Sequence, residues 1–530
     1  MMPFAWWLSL GVGFLSLSQE ILWVRLVAFA FEGPPEAFSL VLALFLVGIA
    51  LGAYVGKRLC ARSRDLHAAG ALTLAAAALV DLILPHTVHL FLGRDRPSLP
   101  WLPLAIVGTA ALKSVLFPIA HHLGSNQSGP RVGSSVSRVY FGNILGSTLG
   151  PIVTGFVLLD RFTVEQCMTI VGLGCALLGA LMSLHSGNRR ARSAAISIAA
   201  ATAAAAAALP AGEAIPRIAV RTADAASRIT HLVQNKHGIV HTASEAGQAD
   251  VIYGGNLYDG RIAIDMTSDP NGLARAYVLA AFHPAPRRVL VVGMSGGAWT
   301  RAVAGFPGVE RIDVVEINPA YLTVVGRYPE VAPILADPRI RIHIDDGRRW
   351  LRRHPDAMYD LIVQNTTFHW RSNTANLLSA EYFREVRQHM RPGAIVAINT
   401  TGSLDVYRTA QEVFPFAARF HSFVYGAERD FRAPAAEALE RLAGCRVGER
   451  AAFLPEQFEP GGLAHHIAND SIVPVAEFLA GQSTAGVAVV TDQNLLTEYR
   501  HGNRSFLPAL QRLLLPRSGP AEQPATPPAR

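Results

Sequence analysis

Four short runs in the second half of the chain hold residues with chemistry to do. "GMSGGAW", Gly293 to Trp299, is a glycine-rich turn of the kind that lets a backbone approach a ligand closely. "VEIN" puts Glu316 about 20 residues beyond that turn, where an acid can accept hydrogen bonds from ribose hydroxyls. "DDGRRW" offers Asp345 or Asp346 to an adenine amine. The fourth run, "LIVQNTTFHWRSN" from Leu361 to Asn373, ends in a loop with His369, Trp370 and Arg371. An imidazole suits a base near neutral pH, a guanidinium suits a carboxylate or phosphate, and an indole offers a stacking face. Each signal alone is weak, but three at successive strand ends point to nucleoside binding. The turn reads GxxGG and not GxGxxG, which with "DDG" favours an adenosylmethionine-type pocket over a nicotinamide site.

Those runs need a scaffold that brings them together. "RRVLVVGM", "RIDVVEI", "IRIHID", "YDLIVQN" and "AIVAINTT" read as strands, with helix-like runs such as "GRRWLRRH" and "SAEYFREVRQHM" among them. The alternation predicts a mostly parallel, Rossmann-like α/β sheet with helices on both faces and ligands at the carboxyl ends of the strands. From Ile229 to Met266, β-formers and the turns "GGN" and "YDGR" predict a small β-hairpin subdomain.

The first 210 or so residues are different: long apolar runs with few charges, in a chain of 530 residues that is 50% hydrophobic. Six segments suit a bilayer core: about Phe4–Phe31, Phe38–Leu59, Ala68–Phe91, Trp101–His121, Val139–Leu159 and Val164–His185. A seventh, Ser193–Leu209, is short and mostly alanine. The expected division is a polytopic transmembrane helix bundle over 1–212, the β subdomain over 213–266, the Rossmann domain over 267–515 and a disordered tail over 516–530. Glu20 and Arg25 lie where a charge is costly, so each should face a partner or a cavity.

Lys57, Arg58, Arg62, Arg64, Arg131, Arg138, Arg189, Arg190 and Arg192 flank alternate loops, against Arg94, Arg96 and Arg161 in the others. Basic flanks stay cytoplasmic, which puts the N-terminus inside. If the seventh segment spans, the second half lies outside the cytoplasm; if it lies against the bundle, it lies inside. The run "NRRARSAAISIAAATAAAAAALPAGEA" resembles a start-transfer anchor and favours the first. The net charge of +7 is spread without a dense basic block, so nucleic acid is not an expected partner. The four cysteines, Cys60, Cys167, Cys175 and Cys445, have no metal or disulfide spacing.

From about Ala249 to Tyr499 the chain resembles the polyamine aminopropyltransferase (spermidine synthase) family, through "GGNLYDGRIAID", "RRVLVVGMSGG", "VVEINP", "DPRIRIHIDDGRRWL", "LLSAEYFREVRQHMRPGAIVAINT" and "VVTDQNLLTEY". With "FAFEGPPEAFSLVLALFLVGIALGAYVGKRL" and "YFGNILGSTLGPIVTGFVLL", the whole resembles bacterial fused, membrane-bound spermidine synthase-like proteins. The resemblance implies a methyltransferase-like fold, a bacterial cytoplasmic membrane, and decarboxylated S-adenosylmethionine (or S-adenosylmethionine) as co-substrate, with no metal. A homodimer is allowed.

Carried over residue by residue, Glu316 matches the ribose-binding acid, and Asp346 and Gly347 the adenine-side pair beside Asp345. Gly293, Gly296 and Gly297 match the glycine loop, which here lacks the family's acidic residue. Tyr277 is matched to the substrate-side tyrosine, although Val278 and Leu279 stand where His-Glu normally follows, and Ala263 stands for a usual glutamine. The largest departure is at strand four. The family's D-x-x-D-P supplies the base and the amine-binding acid; here Gln364, Asn365, Thr366, Thr367 and Phe368 stand there. Gln364 is grouped with the donor-binding residues. His369, Arg371 and Tyr277 are assigned to a rebuilt acceptor side, suited to a neutral or anionic group. Three alternatives stay open: a lid in which Trp370 packs and Arg371 pairs with a neighbour such as Glu381; a degenerate domain that binds or senses a ligand; and a transporter-like bundle with a regulatory domain.

Overall fold

The computed structural model describes residues 2–92, 101–125, 132–210, 212–222, 227–365, 368–469 and 472–500. The proposed tail, Thr366 and Thr367, and the basic residues Arg94, Arg96 and Arg131 lie outside these.

The first part is a helical bundle: α1 (Met2–Ala30), α2 (Pro35–Arg62), α3 (Leu66–Thr87), α4 (Trp101–Ser114), α5 (Leu116–Ser125), α6 (Val132–Val153), a π-helical turn (Thr154–Leu158), α7 (Leu159–Arg161), α8 (Val164–Ser183) and α9 (Arg189–Ala208). Seven stretches among the described residues are long and apolar enough to cross a membrane, the seventh being Arg189–Ala208. Between such helices the hydrophobic effect gives little, so close backbone packing has to hold them. Gly146 of α6 sits so near the Leu10 carbonyl of α1 that a Cβ would have no room, and Gly142 and Gly150 repeat the contact against Trp6 and Phe14. The repeat runs in the same direction on both helices, so α1 and α6 are parallel. Lys113 and Asp81 form a fully buried ion pair at 2.8 Å between α4 and α3.

The bundle has two ends. At one, Ser186 donates to Asp65 at 2.6 Å and the rings of His67 and His185 stack. The other meets the rest of the chain. There the Val164 amide donates to Gln234 at 3.1 Å, Lys236 pairs with Asp160 at 3.1 Å, and the Ser372 amide donates to the Gly33 carbonyl at 2.9 Å. α9 begins at the first end, and the chain reaches the second at α10 (Ala214–Thr222), where the Ile215 amide donates to Glu165 at 2.8 Å. α9 therefore runs the full depth of the bundle. Arg25 reaches out of α1 and donates to the backbone carbonyls of Asn235 and Lys236. Its partner is the neighbouring sheet, and no ion pair joins it to Glu20 among the described residues.

The β subdomain is larger than the single hairpin the turns suggested. It is a four-stranded antiparallel meander of β1 (Arg228–Asn235), β2 (Gly238–Ser244), β3 (Val251–Gly254) and β4 (Leu257–Arg261). The chain before it differs too: Ala214, Ile215, Ile218 and Ala219 of α10 are buried in the bundle core, not in the β unit.

The α/β part contains α11 (Ala274–Phe282), β5 (Arg288–Val292), α12 (Ala298–Val303), β6 (Arg311–Glu316), α13 (Ala320–Val325), β7 (Ile340–Ile344), α14 (Gly347–Arg353), β8 (Tyr359–Gln364), α15 (Ala380–Gln388), β9 (Met390–Asn399), α16 (Leu404–Val413), β10 (Phe416–Phe420), β11 (Phe423–Ala427), a small β12–β13 hairpin (Arg446–Val447 and Arg450–Ala451) and β14 (Val473–Pro474). The eight-stranded sheet has the order β14-β10-β11-β9-β8-β5-β6-β7. β5 to β9 are parallel, and β10, β11 and β14 add an antiparallel edge. This is the expected Rossmann-like fold, with apolar cores on both faces of the sheet. The order turns at β5/β8, so the carboxyl ends of β5, β6, β7 and β8 open onto one crevice.

Candidate functional site

The crevice is a cleft of about 390 Å³. Gly293 lines it with φ +86, a conformation that a side chain would strain. Glu316, at the last position of β6, is 3% exposed and accepts the Met294 amide at 2.8 Å and the Asn318 amide at 2.9 Å. Burial pushes its carboxyl up to about 7 in spite of those amides. Asp345, Asp346 and Gly347 line the same cleft. Asp346 caps α14 by accepting the Arg349 amide at 2.8 Å, and Asp345 is paired with Arg349 and Arg353.

Other assigned residues stand behind the wall. Gly296 packs toward Ile262 and Ile252, and Gly297, at φ +79, opens α12 against Ile334 and Val325. Gln364 is fully buried, its amide donating to the Leu377 carbonyl at 2.8 Å. Gln364 thus ties β8 to the loop that follows and does not line the cleft.

The three residues assigned to the acceptor side do not come together. Tyr277 is fully buried, its ring 4.8 Å from Phe453 and 5.5 Å from Phe306. Every α11 position from Ala276 to Phe282 is buried, so beyond its first turn the helix has no polar face to offer a substrate. His369 is buried too and bonds the Thr401 hydroxyl through Nδ1 at 2.5 Å. Arg371 lines the cleft beside Glu316 and Asp346 instead. Its side chain lies against Gly255 and against Gly33 in the α1–α2 turn. It does not reach Glu381, which accepts the Asp492 amide at 3.1 Å. Trp370 is packed at 7% exposure.

Three other residues occupy the place that sequence reasoning gave to those. Asp259, in the quoted "YDGR", lines both the cleft and a second cavity of about 240 Å³, and Asn365 does the same. Asp259 accepts the Tyr321 hydroxyl at 2.5 Å. Burial pushes its carboxyl up to about 6, against that hydrogen bond and the charge of Arg371. Arg275 lines the second cavity and donates to the carbonyls of Gly272 and Asn271 and to Ser422. Its guanidinium lies 5.2 Å from the Phe423 ring centroid.

Residues 276–412, which carry Glu316, Asp346 and the strand-four departure, match the family profile described as the spermine/spermidine synthase domain. Over that stretch the chain carries a spermidine synthase-like domain. Over 121 residues this spermidine synthase-like chain is 36% identical to a polyamine aminopropyltransferase of Agathobacter rectalis, covering 23% of this chain and 42% of that protein. It thus aligns with less than half of that relative's length. A polyamine aminopropyltransferase 2 of Streptomyces coelicolor is 25% identical over 414 residues, 72% of this chain and 71% of that one. A solved spermidine synthase from Thermotoga maritima superposes with TM-score 0.37 at 16% identity, covering 44% of this chain and 84% of that one. The spermidine synthase-like match begins at residue 276, so Asp259 and Arg275 fall just before it. The sequence signal for Asp259 was the turn itself: an acid beside Gly260, whose φ is +121.

Proposed function

We propose that this chain is a membrane-bound transferase that uses an adenosyl sulfonium donor of the decarboxylated S-adenosylmethionine type and an acceptor other than a polyamine. The observation that supports it is the acidic crevice: Glu316, Asp345 and Asp346 at the carboxyl ends of β6 and β7 and Asp259 of the meander line one cleft, in which Arg371 is the one lining arginine among the described residues. A sulfonium is a fixed cation, and such a field favours it. In the reaction, a nucleophile's lone pair forms a bond to the carbon beside the sulfonium. The C–S bond breaks with its electrons going to sulfur, and a neutral thioether leaves. The nucleophile's proton must go to a base. β8 ends in amides where the family has carboxylates, and Asp259, at the junction of the two cavities, is the group placed to take it.

Calorimetry on the full chain tests the donor side with S-adenosylmethionine, its decarboxylated form and methylthioadenosine. At least one should bind, and Glu316→Ala should cost about 1.5–3 kcal/mol, the range for a hydrogen bond to a charged group. If none of the three binds, the transferase reading falls.

A second reading is supported by the arrangement of the bundle. Lys57, Arg58, Arg62, Arg64, Arg189, Arg190 and Arg192 lie at or near the end remote from the α/β part. With basic ends cytoplasmic, the α/β part stands outside the cytoplasm, where adenosyl donors are not made. There the domain would sense a ligand or use an unusual donor. Alkaline phosphatase fused after Arg217 should be active. Fluorescence there from a cytoplasm-only reporter would remove this second reading and leave the transferase alone.

A further inference from the structure

Beyond the second cavity the protein opens into a third space, a groove of about 1010 Å³ that shares Arg275 and Ser422 with it. Cleft, cavity and groove thus form one series of spaces with shared walls, Asp259 and Asn365 between the first two and Arg275 and Ser422 between the last two. The chemistry reverses along it. The groove is lined by Arg275, Arg419 and His421, with Leu404, Leu463 and Phe478 as apolar wall. Neither arginine forms an ion pair with a carboxylate among the described residues. Arg275 spends its hydrogen bonds on carbonyls and the Ser422 hydroxyl. Arg419 lies 4.3 Å over the Phe478 ring, its Nε buried without a hydrogen-bond partner among the described residues. The one acid among the groove's lining residues, Asp269, accepts the amides of Leu273 and Ala274 at the start of α11; its charge acts on Arg275 without an ion pair between them, and Arg419 has no such neighbour on the groove.

We propose that this groove is the far subsite of the acceptor, and that the acceptor is an anionic amphiphile: a nucleophile at one end, a carboxylate or phosphate at the other, and an apolar segment between. The nucleophile reaches Asp259 and Asn365, the apolar segment lies on Leu404 and Leu463, and the anion meets the arginines. Like charges facing each other are unfavourable, so a diamine long enough to fill the groove would put its second ammonium against two guanidiniums. The placing of the nucleophile rests on the transferase reading; the groove's preference for an anion does not.

A matched pair separates the two. On the full chain in nanodiscs, calorimetry compares 8-aminooctanoate with 1,8-diaminooctane, with and without saturating methylthioadenosine. The amino acid should bind at least about tenfold more tightly, the scale of a hydrogen bond to a charged group. Arg419→Gln should abolish that preference and leave methylthioadenosine affinity unchanged, and His421→Gln should reduce it less. Equal or tighter binding of the diamine overturns the proposal. So does a preference that survives Arg419→Gln in a chain whose thermal unfolding is unchanged. A preference seen without any methylthioadenosine binding keeps the groove and removes the donor reading instead.

Discussion

The cleft and the spaces beyond it are built differently. The cleft is made of strand ends: Gly293 after β5, Glu316 on β6, Asp345 and Asp346 after β7. A parallel sheet carries those ends to one edge whatever the helices do, so residues near one another in space lie beside easily read apolar runs. The second cavity and the groove are made of remote pieces: Asp259 from the meander, Arg275 from α11, Asn399 from β9, and Arg419 and Ser422 around the β10–β11 hairpin. No period in the sequence joins them. The charge differs as well, acidic at the cleft and basic at the groove.

The sharpest test of that contrast is the group at its border. If Asp259 has taken over as base from the lost carboxylates of β8, Asp259→Asn should lower transfer by about 10²–10⁴, the usual worth of a general base. Donor binding should change far less. The assay is single-turnover release of thioether from the decarboxylated sulfonium. With putrescine as acceptor, even the unaltered chain should be slow. Fast spermidine formation, indifferent to Asp259→Asn, would break the contrast.

The pH dependence comes next in size. Burial raises Asp259 to about 6 and Glu316 to about 7. Both are then protonated in the empty cleft at lower pH. A cationic sulfonium favours their ionised forms, so its affinity should rise with pH through 6–7, by up to about tenfold per unit for each group below its pKa. Neutral methylthioadenosine should show a weaker rise, and the ratio of the two affinities is the readout. Stability should move the other way. A carboxyl raised in the folded state stabilises the fold below its unfolded pKa and loses that contribution as pH climbs through the folded one. The empty protein should therefore melt lower at pH 8 than at pH 5 by this contribution. A flat affinity ratio would mean that the acids do not meet the ligand's charge.

How much was legible follows the same line. The parallel sheet, the bundle and the gathering of Glu316, Asp345 and Asp346 in one cleft were readable, because hydrophobic period and strand-end position are local signals. Tyr277 was not. It rests on a match to a family position, while Val278 and Leu279 beside it mark a stretch that is apolar on every side. His369 and Arg371 were chosen for chemistry alone. The fold turns one onto Thr401 and the other toward Gly33, a residue of the bundle that no local pattern links to it. Asp259 was in view within "YDGR", but a turn acid looks like any other until the sheet below it is known.

The smallest effect expected would show that the two halves of the chain are joined at the donor side. Arg25 of α1 holds the Asn235 and Lys236 carbonyls; the Asn235 side chain donates to Asn318 at 2.8 Å; and the Asn318 amide donates to Glu316. A helix of the bundle thus reaches the acid of the cleft through three linked contacts, while nothing comparable runs from the bundle to Arg275 or Arg419 among the described hydrogen bonds. Arg25→Gln should therefore weaken methylthioadenosine by about 0.5–2 kcal/mol, the scale of coupling between packed sites. Binding of 8-aminooctanoate in the groove should be unmoved. Arg25→Lys keeps the charge and a donor and should recover part of the loss. If both ligands weaken together in Arg25→Gln, the bundle supports the domain as a whole. If neither moves, cleft and bundle are independent and the contact only fastens one to the other.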